Sequence, residues 1–441
     1  MSTRSTALAI ARAILATPVD RFGMLERLAR CVHFAPRWNE LLVDSLLAAG
    51  LTADWSVQRL ADALARDPLL AGALEEARQR PVVHGWFMSR ASTLAPAPPA
   101  LRAVDRPHWP GVGALAEGLD VSIPGLWRLT RSASWQRQAP LGDQHYRYEL
   151  LPKRTGGWRL LEVPHPYLRA LQRKVLDELV ARVPPHEAAV GYVRGRSVVD
   201  HARAHAGQAV LLKFDLQDFF ATVRASSVHA TFAELGYSQS VARELMALCT
   251  TATPEPVLER LRTEGGLAWT QAMRLRDAHL PQGAPTSAAL SNLCAFRLDT
   301  RIAGLARALG ARYTRYADDI VLSGDARLLR WADRVEARLG AWALDEGFAL
   351  NHRKTRRVTR SRRQQVCNIV VNARPNLPRD EFDRLKAQLH ACATKGASAQ
   401  NRAGVPNWEQ HLRGRVAWAE QLNAAKAQRL RRLLERIDWS S

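Results

Sequence analysis

The chain has 441 residues, 47% of them apolar, which is enough for two or three domains with sizeable cores. Lys and Arg outnumber Asp and Glu by 63 to 42, a formal charge of +21 that points to a polyanionic partner. Thirteen tryptophans and five scattered cysteines, none in a C-x-x-C pair, exclude a collagen-like, mucin-like or disulfide-scaffold chain and show no zinc ribbon.

The N-terminal stretch Ala7 to Leu15 is broken by Arg12 and followed by no convincing cleavage site, so it reads as helix rather than signal peptide. No apolar run reaches the ~18–20 residues of a membrane span. With thiols read as reduced, the expectation is a cytoplasmic protein without a membrane partner. Residues 1 to about 90 read as all-helical. Gly50 ends one apolar-periodic segment (Trp38, Leu42, Val43, Leu46, Leu47), and Asp67-Pro68 caps and starts the next. Five prolines between Pro96 and Pro110 suit an extended linker.

Residues 112–130 then read as one or two short amphipathic helices. Tyr148 to Leu161 reads as a basic β-hairpin turning at Gly156-Gly157. Leu168, Leu171, Val175, Leu176 and Leu179 keep a helical period. His201 and His205 would share a helix face, but no further metal ligand is near in sequence. Ala209 to Asp215 is a short apolar strand ending on a carboxylate. Ser287 to Leu309 reads as one long helix closed by Gly310. Tyr313 to Leu322 places β-formers on both sides of an acidic turn, and the last 65 or so residues return to basic helix.

The chemistry lies in the acids. Adjacent carboxylates at Asp318 and Asp319 resist ionising together unless a cation sits between them, and hard oxygen ligands on a rigid turn suit Mg²⁺. Asp alone is ordinary in turns, where it bonds its own backbone. Asp215 changes the reading. If its strand lies beside the acidic hairpin, three carboxylates converge at one sheet edge, the minimal cage for two ions that clamp an in-line phosphoryl displacement. Asp215 as a cap of the next segment, with Asp218 a surface acid, is the plain alternative.

Three segments, in order and spacing, resemble the palm of bacterial reverse transcriptases: Lys213-Phe-Asp-Leu-Gln-Asp-Phe-Phe220, Leu280-Pro-Gln-Gly-Ala-Pro-Thr-Ser287 and Tyr316-Ala-Asp-Asp319. The second is most similar to that of retron reverse transcriptases, which make a branched RNA-linked DNA and serve in phage defence. The resemblance runs over roughly residues 112–441, including Asn351, Lys354-Thr355 and a thumb-like segment from Leu412 to Trp439. It implies an α+β, right-hand polymerase: fingers and a ferredoxin-like palm over 111–372, and a helical thumb over 373–441. A helical N-terminal extension (1–95) and a Pro-rich linker (96–110) precede them.

By the same resemblance, the protein is an RNA-directed DNA polymerase using two Mg²⁺ ions, with Mn²⁺ as a substitute. Asp215, Asp318, Asp319 and the Leu216 carbonyl would hold the metals. Phe220 would lie under the incoming sugar and reject a 2′-hydroxyl, and Gln282-Gly283 would pack on nucleotide and template. Lys153 and Arg159 would grip the triphosphate, with Lys354 near the leaving pyrophosphate. Arg353, Arg356, Arg357, Arg362 and Arg363 would meet template or primer phosphates. A solvated basic face, a plain surface hairpin, and core roles for both Phe219 and Phe220 are the bland alternatives.

Implied partners are a structured non-coding RNA and its DNA product, dNTPs, and an effector protein docking on residues 1–95. Two elements depart from the retron pattern. His201-Ala-Arg-Ala-His205 stands where the family often has Asn-Ala-x-x-His, and Val366-Cys367-Asn368 where it often has Val-Thr-Gly. A non-retron defence enzyme with template-independent or protein-primed synthesis therefore stays open. A catalytically idle RNA-binding module does not need the acid trio.

Overall fold

The structure, a computed structural model, describes residues 3–16, 19–52, 55–77, 82–83, 101, 104–152, 158–265 and 268–439. They form two compact units, residues 1–131 with 229–248, and residues 132–228 with 249–441.

In the first unit, helices Thr3–Ile14, Arg21–Cys31, Pro36–Ala48, Val57–Arg66 and Pro68–Glu76 turn their apolar stripes inward. Ile10, Ile14, Met24, Leu28, Leu42, Leu60, Leu64 and Leu70 fill the core between them. The Asp67 carboxylate accepts the Leu69 N–H at 2.8 Å with Pro68 in the first turn, the cap legible in the sequence. Of the proline-rich stretch, 96–100 and 102–103 lie outside the described residues. Its later part is not the extended tether that the prolines suggested. Trp109 is buried and stacks on Tyr237, and the Tyr237 hydroxyl donates to the Pro107 carbonyl at 2.8 Å. Burying an indole outweighs the stiffness of its proline neighbours.

The second unit holds the sheet. Strands β1 (Tyr146–Pro152) and β2 (Trp158–Pro164) form an antiparallel hairpin, whose turn, with Lys153, lies outside the described residues. Four more strands make an antiparallel sheet: β3 (Val210–Asp215), β4 (Arg312–Tyr316), β5 (Asp319–Gly324) and β6 (Arg356–Thr359), in the order β4-β5-β3-β6. Strands β3 and β5 are central and buried almost throughout, with only Lys213 and Asp319 partly exposed. Behind them, His201 and His205 on the helix Val198–Ala204 and at its cap hydrogen-bond Thr314 of β4, and His205 also Ser323 of β5. Burial pushes both imidazoles down to about 3, so they serve as neutral packing groups.

The long helix expected over 287–309 is two, Ser287–Cys294 and Phe296–Ala308, meeting at Ala295. Ala295 takes φ −86° and ψ 0°, outside the helical well, so the helix is interrupted while the apolar period continues. A small hairpin follows, β7 (Gln365–Val366) and β8 (Ile369–Val370), with Cys367 and Asn368 at φ 45° and 64°, the mirror-image turn that matches strand twist. Finally, helices Arg379–Lys395 and Trp408–Leu434 pack Leu385 and Leu389 with Leu412, Val416 and Ala419, the second bending at Asn423.

One buried ion pair ties the hairpin to the loop before Ser287. The Glu162 carboxylate on β2 meets His279 Nε2 at 2.9 Å and accepts the Thr253 hydroxyl at 2.8 Å. Desolvation opposes charge on His279, but the Glu162 charge and hydrogen bond outweigh it and raise its pKa. Such a group stabilises fully below the ordinary histidine value of ~6.5, and the gain is lost as pH rises through the higher folded value. The urea midpoint is therefore expected to fall across that alkaline side. His279→Gln should remove this slope and cost about 3–5 kcal/mol at pH 6, because Glu162 stays buried unpaired.

Candidate active site

Antiparallel register places Asp215, the last residue of β3, directly opposite Asp319, the first of β5. Directly opposed residues share a sheet face with Cβ atoms ~5 Å apart. Between β4 and β5 the chain reverses through Ala317 and Asp318, with Tyr316 opposite Asp319. Ala317 takes a left-handed φ of 54°, and the Asp318 carbonyl accepts the Leu216 N–H at 3.0 Å. The three acids named from the sequence thus meet at one edge of the sheet, with Leu216 beside them and buried.

Their electrostatics follow from crowding. Burial, then the charges of Asp215 and Asp319, push Asp318 up to about 6. Asp319 is also raised, by burial first, with Lys213 opposing and Asp215 adding to it. Lys354, in the turn His352–Lys354, places Nζ 2.8 Å from Asp215 Oδ2. Burial lowers its ammonium pKa, but the hydrogen bond and charge of Asp215, with Asp318 and Asp319, carry it above the usual value. As the side chains stand, no three Asp, Glu, His or Cys groups among the described residues make a ready metal cage, since Asp215 is turned to Lys354. The donor set nevertheless fits a hard divalent cation: three carboxylates, two of them held above their ordinary pKa by desolvation and mutual repulsion.

The other residues named from the sequence fall around this edge. Phe219 is buried and stacks on Phe348, whereas Phe220 is half-exposed, so only the first is plainly core. Gln282 donates no strand of its own, but its carbonyl accepts the Glu162 N–H at 3.0 Å. Gly283 has φ 143°, and a Cβ there would meet the Glu162 carbonyl oxygen at 2.9 Å, so β2 itself demands glycine. Arg159 on β2 is exposed, and its charge reaches the Tyr192 hydroxyl. Asp218 lies outside the trio, its carboxylate bound by Gln271 and by Arg274 at 2.8 Å.

Among the basic residues, Arg357 is held by Asp333 and Glu336, and Arg363 faces Asp380 at 3.5 Å. Arg356 donates to the carbonyls of Arg353 and Thr355, while Arg353 and Arg362 are exposed. Arg357 is thus committed to intramolecular acids rather than presented freely, because the helix Ala332–Asp345 brings two carboxylates within reach.

Two neighbours of the acids were not expected at this edge. Tyr192, half-exposed at φ 62°, lies between Phe220 and Tyr316, with ring centres 6.3 and 5.9 Å away. Cys367, at the tip of the β7–β8 hairpin, donates its thiol to Asp319 Oδ2 at 3.6 Å. In the sequence Cys367 stood out only as a departure from the retron pattern, not as a neighbour of the acids.

A carboxylate-lined hairpin turn opposed to an acid-tipped strand, with a glycine loop bonded to the β1–β2 hairpin, brings together the acids and the glycine turn named from the sequence. Residues 151–385, more than half of the chain, match the family model described as reverse transcriptase (RNA-dependent DNA polymerase). The chain is 38% identical to the retron Mx65 reverse transcriptase of Myxococcus xanthus over 77% of its length and 74% of that protein. It is 33% identical to the retron Mx162 enzyme of the same organism, over 71% of this chain and 64% of that one. With the retron Ec86 reverse transcriptase of Escherichia coli the identity is 25%, over 67% and 82%. The chain belongs to the reverse transcriptases and has their fold. Within them it is of the bacterial retron type, an RNA-directed DNA polymerase.

Crowding of the acids has a measurable cost. A carboxylate whose folded pKa is raised loses stability as pH rises from its unfolded value of ~3.9 to the folded one. With Asp318 near 6 in the fold, Asp318→Asn is expected to melt higher than wild type at pH 8 and equally at pH 4 in chelator. Adding Mg²⁺ should raise the wild-type melting temperature more than that of the variant, by calorimetry.

Proposed function

We propose that this reverse transcriptase copies a structured RNA into DNA by two-metal nucleotidyl transfer, in a phage-defence setting. The observation that carries the reading is the pairing of Asp215 opposite Asp319, with Asp318 in the adjoining turn. Asp215, Asp318 and Asp319, with the Leu216 carbonyl, would hold Mg²⁺, or Mn²⁺ in its place. When bound, the ions would lower the pKa of the primer 3′-hydroxyl and neutralise charge on the attacked phosphate and leaving pyrophosphate.

The chain's own residues supply the rest. Lys354, poised beside Asp215, neutralises the pyrophosphate or donates its proton. Arg159, together with Lys153, draws the triphosphate toward the sheet edge. Phe220 and Tyr192 make an aromatic wall that supports the sugar and leaves no room for a 2′-hydroxyl. Gln282 and Gly283 hold the template side. Arg353, Arg356 and Arg362 face the duplex backbone, with Arg357 and Arg363 able to join only by releasing their acids. The paired C-terminal helices, from residue 373 onward, act as the thumb that holds the RNA–DNA duplex by shape and phosphate. Residues 1–95, whose helices share one apolar core, serve as the docking surface for an effector. Departures at His201 and Cys367 concern which RNA is recognised, and identity to retron enzymes over three quarters of the chain favours a retron's own transcript over template-free synthesis.

Primer extension on an RNA template tests this directly. Asp215→Asn is expected to reduce incorporation by at least about 100-fold, with folding intact by circular dichroism; full activity would remove the metal assignment. Phe220→Ala should keep dNTP incorporation while raising ribonucleotide use about tenfold or more. An unchanged sugar preference would return Phe220 to a packing role.

A further inference from the structure

Three positions before Asp318 lies Arg315, a wholly buried arginine. Its Nε and Nη2 donate to the two oxygens of Asp299 at 2.7 and 2.6 Å, a two-pronged ion pair with both side chains fully buried. Its Nη1 donates to Asn292 Oδ1 and to the Ala317 carbonyl, each at 3.0 Å. Asn292 in turn donates Nδ2 to the Gly191 carbonyl at 2.8 Å. Gly191 presses on the turn itself, where an added Cβ would stand 2.8 Å from the Ala317 nitrogen. The guanidinium also lies 5.6 Å from the ring centre of Phe219, next to Phe220.

Stability alone does not call for this arrangement. A buried ion pair is commonly replaced by apolar side chains of like volume without loss. No apolar replacement, however, satisfies the Ala317 carbonyl, which belongs to the peptide joining Ala317 to Asp318. That peptide needs holding, since Ala317 sits at φ 54°, a conformation its Cβ disfavours. A planar five-donor group can grip Asp299, Asn292 and the turn at once, which an ammonium cannot.

We propose that Arg315, anchored by Asp299 and Asn292, is a positioning residue that fixes the Ala317–Asp318 peptide and thereby aims the Asp318 carboxylate toward the sheet edge shared with Asp215. The inference rests on reading Asp318 as a catalytic carboxylate. It adds that the aim is set from behind by the guanidinium and not by the strand register alone. Tyr313 offers the control, since its hydroxyl donates to Asp299 Oδ1 at 2.5 Å without touching the turn.

The test compares Arg315→Lys and Tyr313→Phe in the full-length protein. Amide hydrogen exchange at 317–319 is measured in chelator, and kcat, dNTP KM and the half-maximal Mg²⁺ concentration on an RNA template. Arg315→Lys is expected to speed exchange at the turn and lower kcat about 10–100-fold, with KM within about twofold and a higher Mg²⁺ requirement. Tyr313→Phe should melt lower yet keep wild-type kcat and turn exchange. Wild-type kcat and exchange in Arg315→Lys would overturn the proposal, as would losses in both variants that simply track melting temperature. Should Arg315→Lys fail to fold, Asn292→Ala takes its place with the same expected signature. Failure of the underlying reading shows separately, as full polymerisation by Asp318→Asn whatever the exchange data say.

Discussion

The register of β3 against β5 is the constraint on which the rest of the second unit depends. It sets Asp215 opposite Asp319, and a slip by one residue would send one of those carboxylates to the other face of the sheet. Register is enforced by burial: Leu211, Phe214, Ile320 and Val321 are all but inaccessible, so no shifted pairing keeps them covered. An apolar sheet thus forces like charges together at its rim. Lys354 offsets part of that repulsion at Asp215, and a raised Asp318 records what is left over.

Around that rim the packing is arranged in supports. From one side, the Glu162–His279 pair and the Glu162 N–H bond to the Gln282 carbonyl fasten β2 to the loop that carries Gln282-Gly283. From beneath, the Asp299–Arg315 pair reaches the acidic turn, while His201, His205 and Thr314 fill the space behind β4. Each support buries polar groups in hydrogen-bonded sets, which is costly to break and therefore favours one geometry over near neighbours. The β7–β8 hairpin closes the remaining flank with the Cys367 thiol on Asp319.

Much of this was legible in the sequence, and the exceptions have physical reasons. Asp215 at the end of an apolar run, and Asp318-Asp319 between two β-forming segments, announced themselves through composition and period. The Asp67-Pro68 start and the Gly310 stop are local signals that tertiary packing left alone. The helix expected over 287–309 is interrupted at Ala295, which the sequence does not show because the apolar period carries on and no proline or glycine marks the break. Trp109 docks despite its prolines because burial of one indole is a long-range event. The pairing of Arg357 with Asp333 and Glu336 joins segments more than twenty residues apart, and a basic run read alone looks free. Tyr192 and Cys367 matter through backbone conformations with positive φ, which side-chain patterns do not report.

The central claim is that Asp215, Asp318 and Asp319 hold divalent ions at this sheet edge. Anomalous scattering from crystals soaked in Mn²⁺ with a primed RNA template and an unreactive nucleotide tests it most directly. The account predicts manganese peaks about 2.1 Å from carboxylate oxygens of Asp215 and Asp318, with Lys354 displaced from Asp215. Manganese bound elsewhere, with Lys354 still on Asp215 in a complex poised for synthesis, would contradict it.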